Sequence, residues 1–557
     1  MGATAIVLVA SGVANAADLE PGVKLPPAVW GWSGGYIGGH VGGGYGRTSF
    51  SNPYGPSIYG DVVDTPVFLA GGQIGYNWQK NGWVFGVELD ASGAVSDGTN
   101  TCLAAGFVVS ANCKAGPNVF ATGTGRIGYA FGALGRTLAY FKGGVAWQNN
   151  RGDVLNNNAF GFSPEKNHFD YGRLGGAIGL GVEQALTPAW SVKAEYGYLH
   201  FGGPIVATPS TVQNPPFAIV PANATSLSSN YHIGKIGLNY HFGADPWAAQ
   251  WSDAPLYPKA PADAPIADTA GWSFEGGSRL WLSRGRFQWD NSAVPDGSPL
   301  DPSILLSRLT YHGLDGLSGE LFGRVDSPWG VFLKGNIGLG RFEKGNMNDE
   351  DWAGRTYFNT TSGQTNGRFT YYTADAGYDF LRTANYKVGG FIGWTYYEQS
   401  SDTTGCVQIG NPMAPCLSPG DDTVVGSQNT QWNAPRVGLS AETMLTESWR
   451  LNSDIAYLPW TDFKGRDNHL ARPTTTFIDQ WGHGGGGVQV EGVLSYFITR
   501  NFSVGVGGRY WAMWTQKDSE IRCTGCVGGP GNISGIQFSK FSMERWGTFF
   551  QASYRFD

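Results

Sequence analysis

The run Ser191-Val192-Lys193-Ala194-Glu195-Tyr196-Gly197-Tyr198-Leu199 decides the fold. Side chains of an extended chain alternate between two faces. Val192, Ala194, Tyr196 and Tyr198 share one face, and Lys193 and Glu195 share the other. In a closed membrane sheet the apolar face meets lipid and the charged face meets a polar lumen, so both are satisfied. The turn Leu186-Thr187-Pro188-Ala189 leads into this run from another alternating segment, 174–185.

The same alternation spreads in both directions. Residues 30–243 hold about eight such segments, among them 67–78 and 83–94, joined by the tight turn Gln79-Lys80-Asn81-Gly82. Residues 244–270 are rich in Ala, Pro and Asp, have no periodicity, and read as a linker. Residues 271–557 hold about ten more segments: 272–289, 305–325, 331–342, 368–380, 386–397, 434–444, 449–463, 487–497, 502–514 and 543–556. Short turns such as Asp326-Ser327-Pro328-Trp329 and Thr499-Arg500-Asn501 alternate with long polar loops, the habit of outer-membrane barrels. The predicted class is all-β: two tandem antiparallel transmembrane β-barrels, of about eight and then about ten strands.

Bulk properties agree. The chain has 557 residues with 85 glycines, and 14% of it is aromatic against 15% charged. Beyond the N-terminus there is no apolar run of the ~20 residues a membrane helix needs. In lipid, a β-protein must close to pair its backbone. The net charge of −7, with no basic block, argues against nucleic acid as a partner. The apolar stretch 5–13 followed by Ala14-Asn15-Ala16 predicts a secretory signal peptide over 1–16, and hence the bacterial outer membrane. Six cysteines form three local pairs, Cys102/Cys113, Cys406/Cys416 and Cys523/Cys526, which read as local disulfides of exported loops. The Cys523-Thr-Gly-Cys526 spacing also suits redox or metal chemistry, but no helix follows it and no second such pair exists.

Chemistry concentrates in Gly345-Asn346-Met347-Asn348-Asp349-Glu350-Asp351-Trp352, at the end of the segment 331–342. Asp349 and Asp351 stand at i and i+2, on one face of an extended strand. Two close carboxylates cannot both ionise freely. Asp467 and His469 have the same spacing, and a carboxylate beside an imidazole fixes its tautomer. Each pair alone reads as a solvated loop tip, or for the acids a cation site. Position adds to this, because the acids follow the third segment and Asp467-Asn468-His469 the seventh. Odd-numbered strands end on one rim, so a water between the two pairs could lose a proton to His469 and attack a peptide carbonyl. The other histidines are scattered: His40, His168, His200, His232 and His241 read as lumen or surface groups. No phosphate loop, nucleophile elbow or zinc-protease motif is present, and no cofactor is expected.

Two resemblances follow from these residues. Trp32-Ser33-Gly34-Gly35-Tyr36-Ile37-Gly38-Gly39, Gly125-Arg126-Ile127-Gly128-Tyr129-Ala130 and Leu238-Asn239-Tyr240-His241-Phe242 resemble the small outer-membrane immunogenic barrels (the Omp25/Omp31 kind) of α-proteobacteria. That resemblance implies an eight-stranded structural barrel without catalysis. The second half resembles the omptin family of outer-membrane proteases, which has ten strands, an Asp-x-Asp-Trp after strand three and an Asp-x-His ending strand seven. It implies an endopeptidase with Asp467 and His469 as the activating dyad, and Asp349 and Asp351 on the other side of the water. The implied partners are peptide or protein substrates and membrane lipid, with lipopolysaccharide as an activating lipid.

Two features depart from the omptin pattern. Where the family holds acids for a basic substrate residue, this chain has Gly465 and, on its first strand, Arg284 and Arg286. Tyr396-Tyr397-Glu398-Gln399 lacks the arginine of the lipopolysaccharide motif. The competing readings are a non-catalytic structural or porin-like barrel and, third, an adhesin working through its long loops.

Overall fold

The computed structural model describes residues 30–242 and 271–556, except 107–109, 133, 158–164, 214–217, 296–302, 354–355, 411–415, 417–419, 421, 472–475, 517–518 and 525–536. The expected signal peptide (1–16), the linker (244–270) and Cys526 lie outside the described residues.

The first sheet has eight wall strands: β1 (Gly34–Phe50), β2 (Val62–Lys80), β3 (Trp83–Ser96), β5 (Ala111–Phe131), β6 (Thr137–Asn156), β7 (Lys166–Ala185), β8 (Trp190–Phe201) and β12 (Asn223–His241). β1 pairs with β12 and closes the ring. Four short strands sit above its rim: β4 (Thr99–Cys102), β9 (Ile205–Thr208), β10 (Thr211–Val212) and β11 (Ile219–Val220). The second sheet runs β13 (Ser273–Pro295), β14 (Leu305–Asp326), β15 (Val331–Ala353), β16 (Thr356–Arg382), β17 (Tyr386–Gly410) and β18 (Val424–Met444). Three walls then come in two pieces each. These are β19 (Trp449–Leu458) with β20 (Thr461–His469), β21 (Thr476–Gly484) with β22 (Gly486–Phe497), and β23 (Phe502–Trp514) with β24 (Ser519–Thr524). β25 (Gln537–Phe556) pairs with β13 to close a ring of ten walls.

The wall strands are longer than the alternating segments. β16, for example, starts at Thr356, whereas alternation predicts a start at 368. Above the lipid band both faces can be polar, so the hydrogen-bonded ladder continues where the alternation stops. For the same reason Asp349 and Asp351 are not on a loop beyond 342. They lie inside β15, above a pairing gap at Gly345, whose φ is +151°. The segment 449–463 is broken at Pro459-Trp460, level with Gly484 and Gly485, whose φ values are +70° and +68°. Thr461 Oγ1 stitches this level, 2.6 Å from the Gly484 carbonyl and 2.7 Å from that of Trp514.

Alternation settles the two faces as expected. Leu282, Leu317, Leu333, Ile337, Leu339 and Ile392 face outward and are exposed. Lys193 and Glu195 are buried inside the first barrel, where Lys193 also meets Glu88 at 2.8 Å and Arg126 meets Glu183 at 3.0 Å. In the second barrel Arg509 bridges Glu320 at 2.6 Å, and Arg450 holds Glu275. Trp281, Tyr371 and Trp511 pack against the Arg509 guanidinium. At lipid depth both lumens are therefore lined by paired charges, and the second keeps a cavity of about 100 Å³ between Arg279, Lys334, Arg436 and Arg450. Disulfides join Cys102 to Cys113 and Cys406 to Cys416. Three of these cysteines lie on strands, Cys102 on β4, Cys113 on β5 and Cys406 on β17, and so not in free loops.

The two barrels lie side by side. Val41, Phe68 and Ile236 of the first pack against Val490 and Ile455 of the second. Phe68 stacks on Tyr457 with ring centroids 4.8 Å apart. Tyr510 and Trp514 lie on the outward face yet are buried, because the first barrel covers them.

Candidate active site at the long-loop mouth of the second barrel

β15 alternates cleanly above the lipid band. Met347 belongs to the aromatic interior of the barrel, so Asp349 and Asp351, of the same parity, face the lumen. Their ladder partners are Leu309 and Ser307 on β14. Glu350 and Trp352 face the other way and are buried against the first barrel. On β20, Phe463 belongs to the same interior, and Gly465, Asp467 and His469 follow it on the lumen side. Asp467 pairs in register with Gln428 and Ile478.

The structure brings two of the four expected residues into direct contact: His469 Nε2 lies 2.7 Å from Asp467 Oδ2. The Asp467 side chain is 5% exposed and that of His469 21%, so the dyad is anchored at the acid and open at the imidazole. Tyr311 on β14 feels both Asp467 of this dyad and Asp349. Burial first, and then the carboxylates of Asp467 and Asp349, hold the Tyr311 phenol well above its ordinary value. Tyr311 thus stays a neutral hydroxyl between a third-wall acid and a seventh-wall acid. Asp351 stands one step further out and is exposed. Sequence reasoning missed Tyr311. It has the parity of any barrel-interior aromatic, and nothing local marks it.

The floor of the mouth is apolar, with Trp432 and Phe463 at 4.6 Å and Phe463 and Phe541 at 4.1 Å between ring centroids. At Gly465 the space a side chain would take is filled by Gln480, which accepts a hydrogen bond from Gln428 Nε2 at 3.0 Å. Arg284 points outward to Asp315 at 2.6 Å, and Arg286 lies against Asp64 of the first barrel at 3.9 Å. Neither arginine lines the lumen, and neither is replaced there by an acid on β13, whose lumen-side groups at this level are Phe287 and Trp289. Among the described residues there is no group of three or more His, Cys, Asp or Glu arranged to hold a metal ion.

Comparison with known proteins supplies the family. Residues 3–242 match the outer membrane protein β-barrel domain, and residues 328–542 match the Omptin family. The 31 kDa outer-membrane immunogenic proteins of Brucella melitensis and Brucella suis are each 32% identical over 230 residues, covering 39% of this chain and 86% of theirs. Among solved structures, the outer membrane protease OmpT from Escherichia coli is similar over 51% of this chain and 97% of its own, at 14% identity and a TM-score of 0.42. Neisserial surface protein A is similar over 38% of this chain and 98% of its own, at 15% identity and a TM-score of 0.17. The chain belongs to the family of the Brucella 31 kDa outer-membrane protein through its first barrel, carries an Omptin-family domain in its second, and resides in the bacterial outer membrane.

Proposed function

We propose that the second barrel is an endopeptidase and that the first is its structural companion. The observation that carries this reading is the 2.7 Å contact between His469 and Asp467 at an open mouth, with Asp349 acting on the same Tyr311 phenol as Asp467. Asp467 orients the imidazole, and His469 takes a proton from a water. That water attacks the peptide carbonyl from a position shared with Asp349 and Asp351, and His469 returns the proton to the leaving amine. Peptides and proteins are the substrates.

The residue before the cut is not held by acids here, since Gly465 and Gln480 occupy that wall. A neutral side chain fits it better than a basic one. Lipopolysaccharide is the expected lipid partner. Arg341 and Arg368 pair across β15 and β16 on the exposed outer face, just above Leu339, where they suit its phosphates.

The test is cleavage of a peptide library by the full chain in detergent containing lipopolysaccharide. The native protein should cleave, and His469→Ala should lose at least about a hundredfold in rate, the usual share of a general base. Equal background from both would leave a non-catalytic barrel.

A further inference from the structure

The outward face of β15 carries a second feature, directly behind Asp349 and Asp351. Glu350 is fully buried there, although its strand ends at an open mouth. It accepts a hydrogen bond from Thr101 Oγ1 of the first barrel at 2.8 Å, and another from Tyr357 on β16 at 2.7 Å. Thr101 in turn accepts from Arg308 Nη1 at 2.9 Å, while Asp290 takes the other side of that guanidinium at 2.7 and 2.9 Å. Two residues up the strand, Trp352 donates its indole N–H to Ser110 of the first barrel at 3.0 Å. Thr101 sits on β4, which is tied to β5 by the Cys102–Cys113 disulfide. A rigid hairpin of one barrel thus grips a rim strand of the other on both sides of Asp351.

Lipid-facing barrel surfaces gain little from the hydrophobic effect on meeting, so specific polar contacts and shape must do the work. If the hairpin lifted, Glu350 would lose Thr101 and Arg308 would lose Thr101 and Asn112, keeping only Tyr357 and Asp290 of their own barrel, so these buried polar contacts tie the hairpin to β14 and β15.

We propose that the first barrel is a built-in clamp on the second: its β4–β5 hairpin, through Thr101 and Glu350, fixes the upper part of β15 and thereby the placement of Asp349 and Asp351. Thr101 and Glu350 are positioning residues, since neither faces the lumen. The effect on cleavage rests on the endopeptidase reading, whereas the effect on β15 does not.

The test uses the full chain in detergent with Thr101→Val, which keeps the shape and removes the hydroxyl, and Thr101→Ser, which restores it. Hydrogen exchange of the amides of 346–352 is measured alongside peptide cleavage. In Thr101→Val those amides should exchange at least roughly tenfold faster, as expected from losing the two buried hydrogen bonds of the Thr101 hydroxyl, and kcat should fall by a similar factor with KM little changed. Thr101→Ser should return both to native values. Exchange in Thr101→Val equal to native overturns the clamp, whether or not any peptide is cut. If native protein and His469→Ala cleave equally, the endopeptidase reading fails and the exchange result still decides the clamp.

Discussion

At the scale of single residues, the dyad makes the sharpest claim. Asp467 contacts the imidazole at Nε2 and so helps to set the tautomer and ring angle of His469. Asp467→Asn keeps the shape but removes the charge. Cleavage should fall by about two to four orders of magnitude while the barrel stays folded, read by kcat beside resistance to unfolding in detergent. A rate within a factor of three of native would remove Asp467 from the mechanism. Gly465 makes a second claim. With Gln480 in the place of an acid, peptides with Arg or Lys before the scissile bond should be cut no more than about tenfold better than neutral ones, since no desolvated charge pair is available. A library dominated by basic residues at that position would overturn it. These residues were legible in the sequence because the i, i+2 spacing carries face information by itself. Tyr311 was not, because its neighbours Asp349 and Asp467 come from walls three and seven and only ring closure unites them.

At the scale of elements, β15 has three zones with different partners: lipid below Leu339, the lumen through Asp349, and the first barrel through Glu350. Alternation revealed the first two. The third was hidden because Thr101 is 249 residues away from Glu350, and no local pattern encodes that pairing. It also gives the rim a pH dependence. Glu350 stands eleven residues above Leu339, the last exposed apolar group of the strand, and so outside the lipid band. Burial pushes its carboxyl up to about 7, opposed by Arg308 and by hydrogen bonds from Tyr357 and Thr101, with Asp290 adding a smaller upward push. Tyr59, from the first barrel, also faces it. A carboxyl whose value rises on docking takes up a proton there. Docking is therefore strongest below about pH 4.5, weakens as pH rises towards 7, and is level above that, a span worth about 3 kcal/mol at most. Exchange of 346–352, corrected for intrinsic rates, should be slower at pH 5 than at pH 8 in the native chain. In Glu350→Gln this difference should vanish, and an unchanged slope there would assign the effect to another group.

At the scale of the whole molecule, two closed rings that each satisfy their own backbone have no need of one another, yet a continuous seam joins them. Below the clamp, the seam depends on absent side chains. Gly43 on β1 pairs with Gly234 on β12, and together they leave a notch on the lipid face of the first barrel. A Cβ at Gly43 would stand 2.5 Å from Val488 Cγ2 and 3.0 Å from Val490 Cγ2, so the two valines of β22 fill the notch. In lipid such close packing, with little hydrophobic gain, is what holds surfaces together. A leucine at Gly43 would suit a lipid-facing strand well, so Gly43→Leu should leave each barrel folded and displace only its neighbour. Phe68 and Tyr457, stacked across the seam, report this directly. Cysteines at both positions should cross-link in the otherwise native full chain in lipid vesicles, and the cross-link should drop by at least about tenfold when Gly43→Leu is added, the scale of a steric clash of a kcal/mol or more. Cross-linking that persists undiminished would mean that the seam holds without the Gly43 notch, whereas no cross-link between the two cysteines in the otherwise native chain would mean that the barrels meet elsewhere and that β15 is held by its own ring alone.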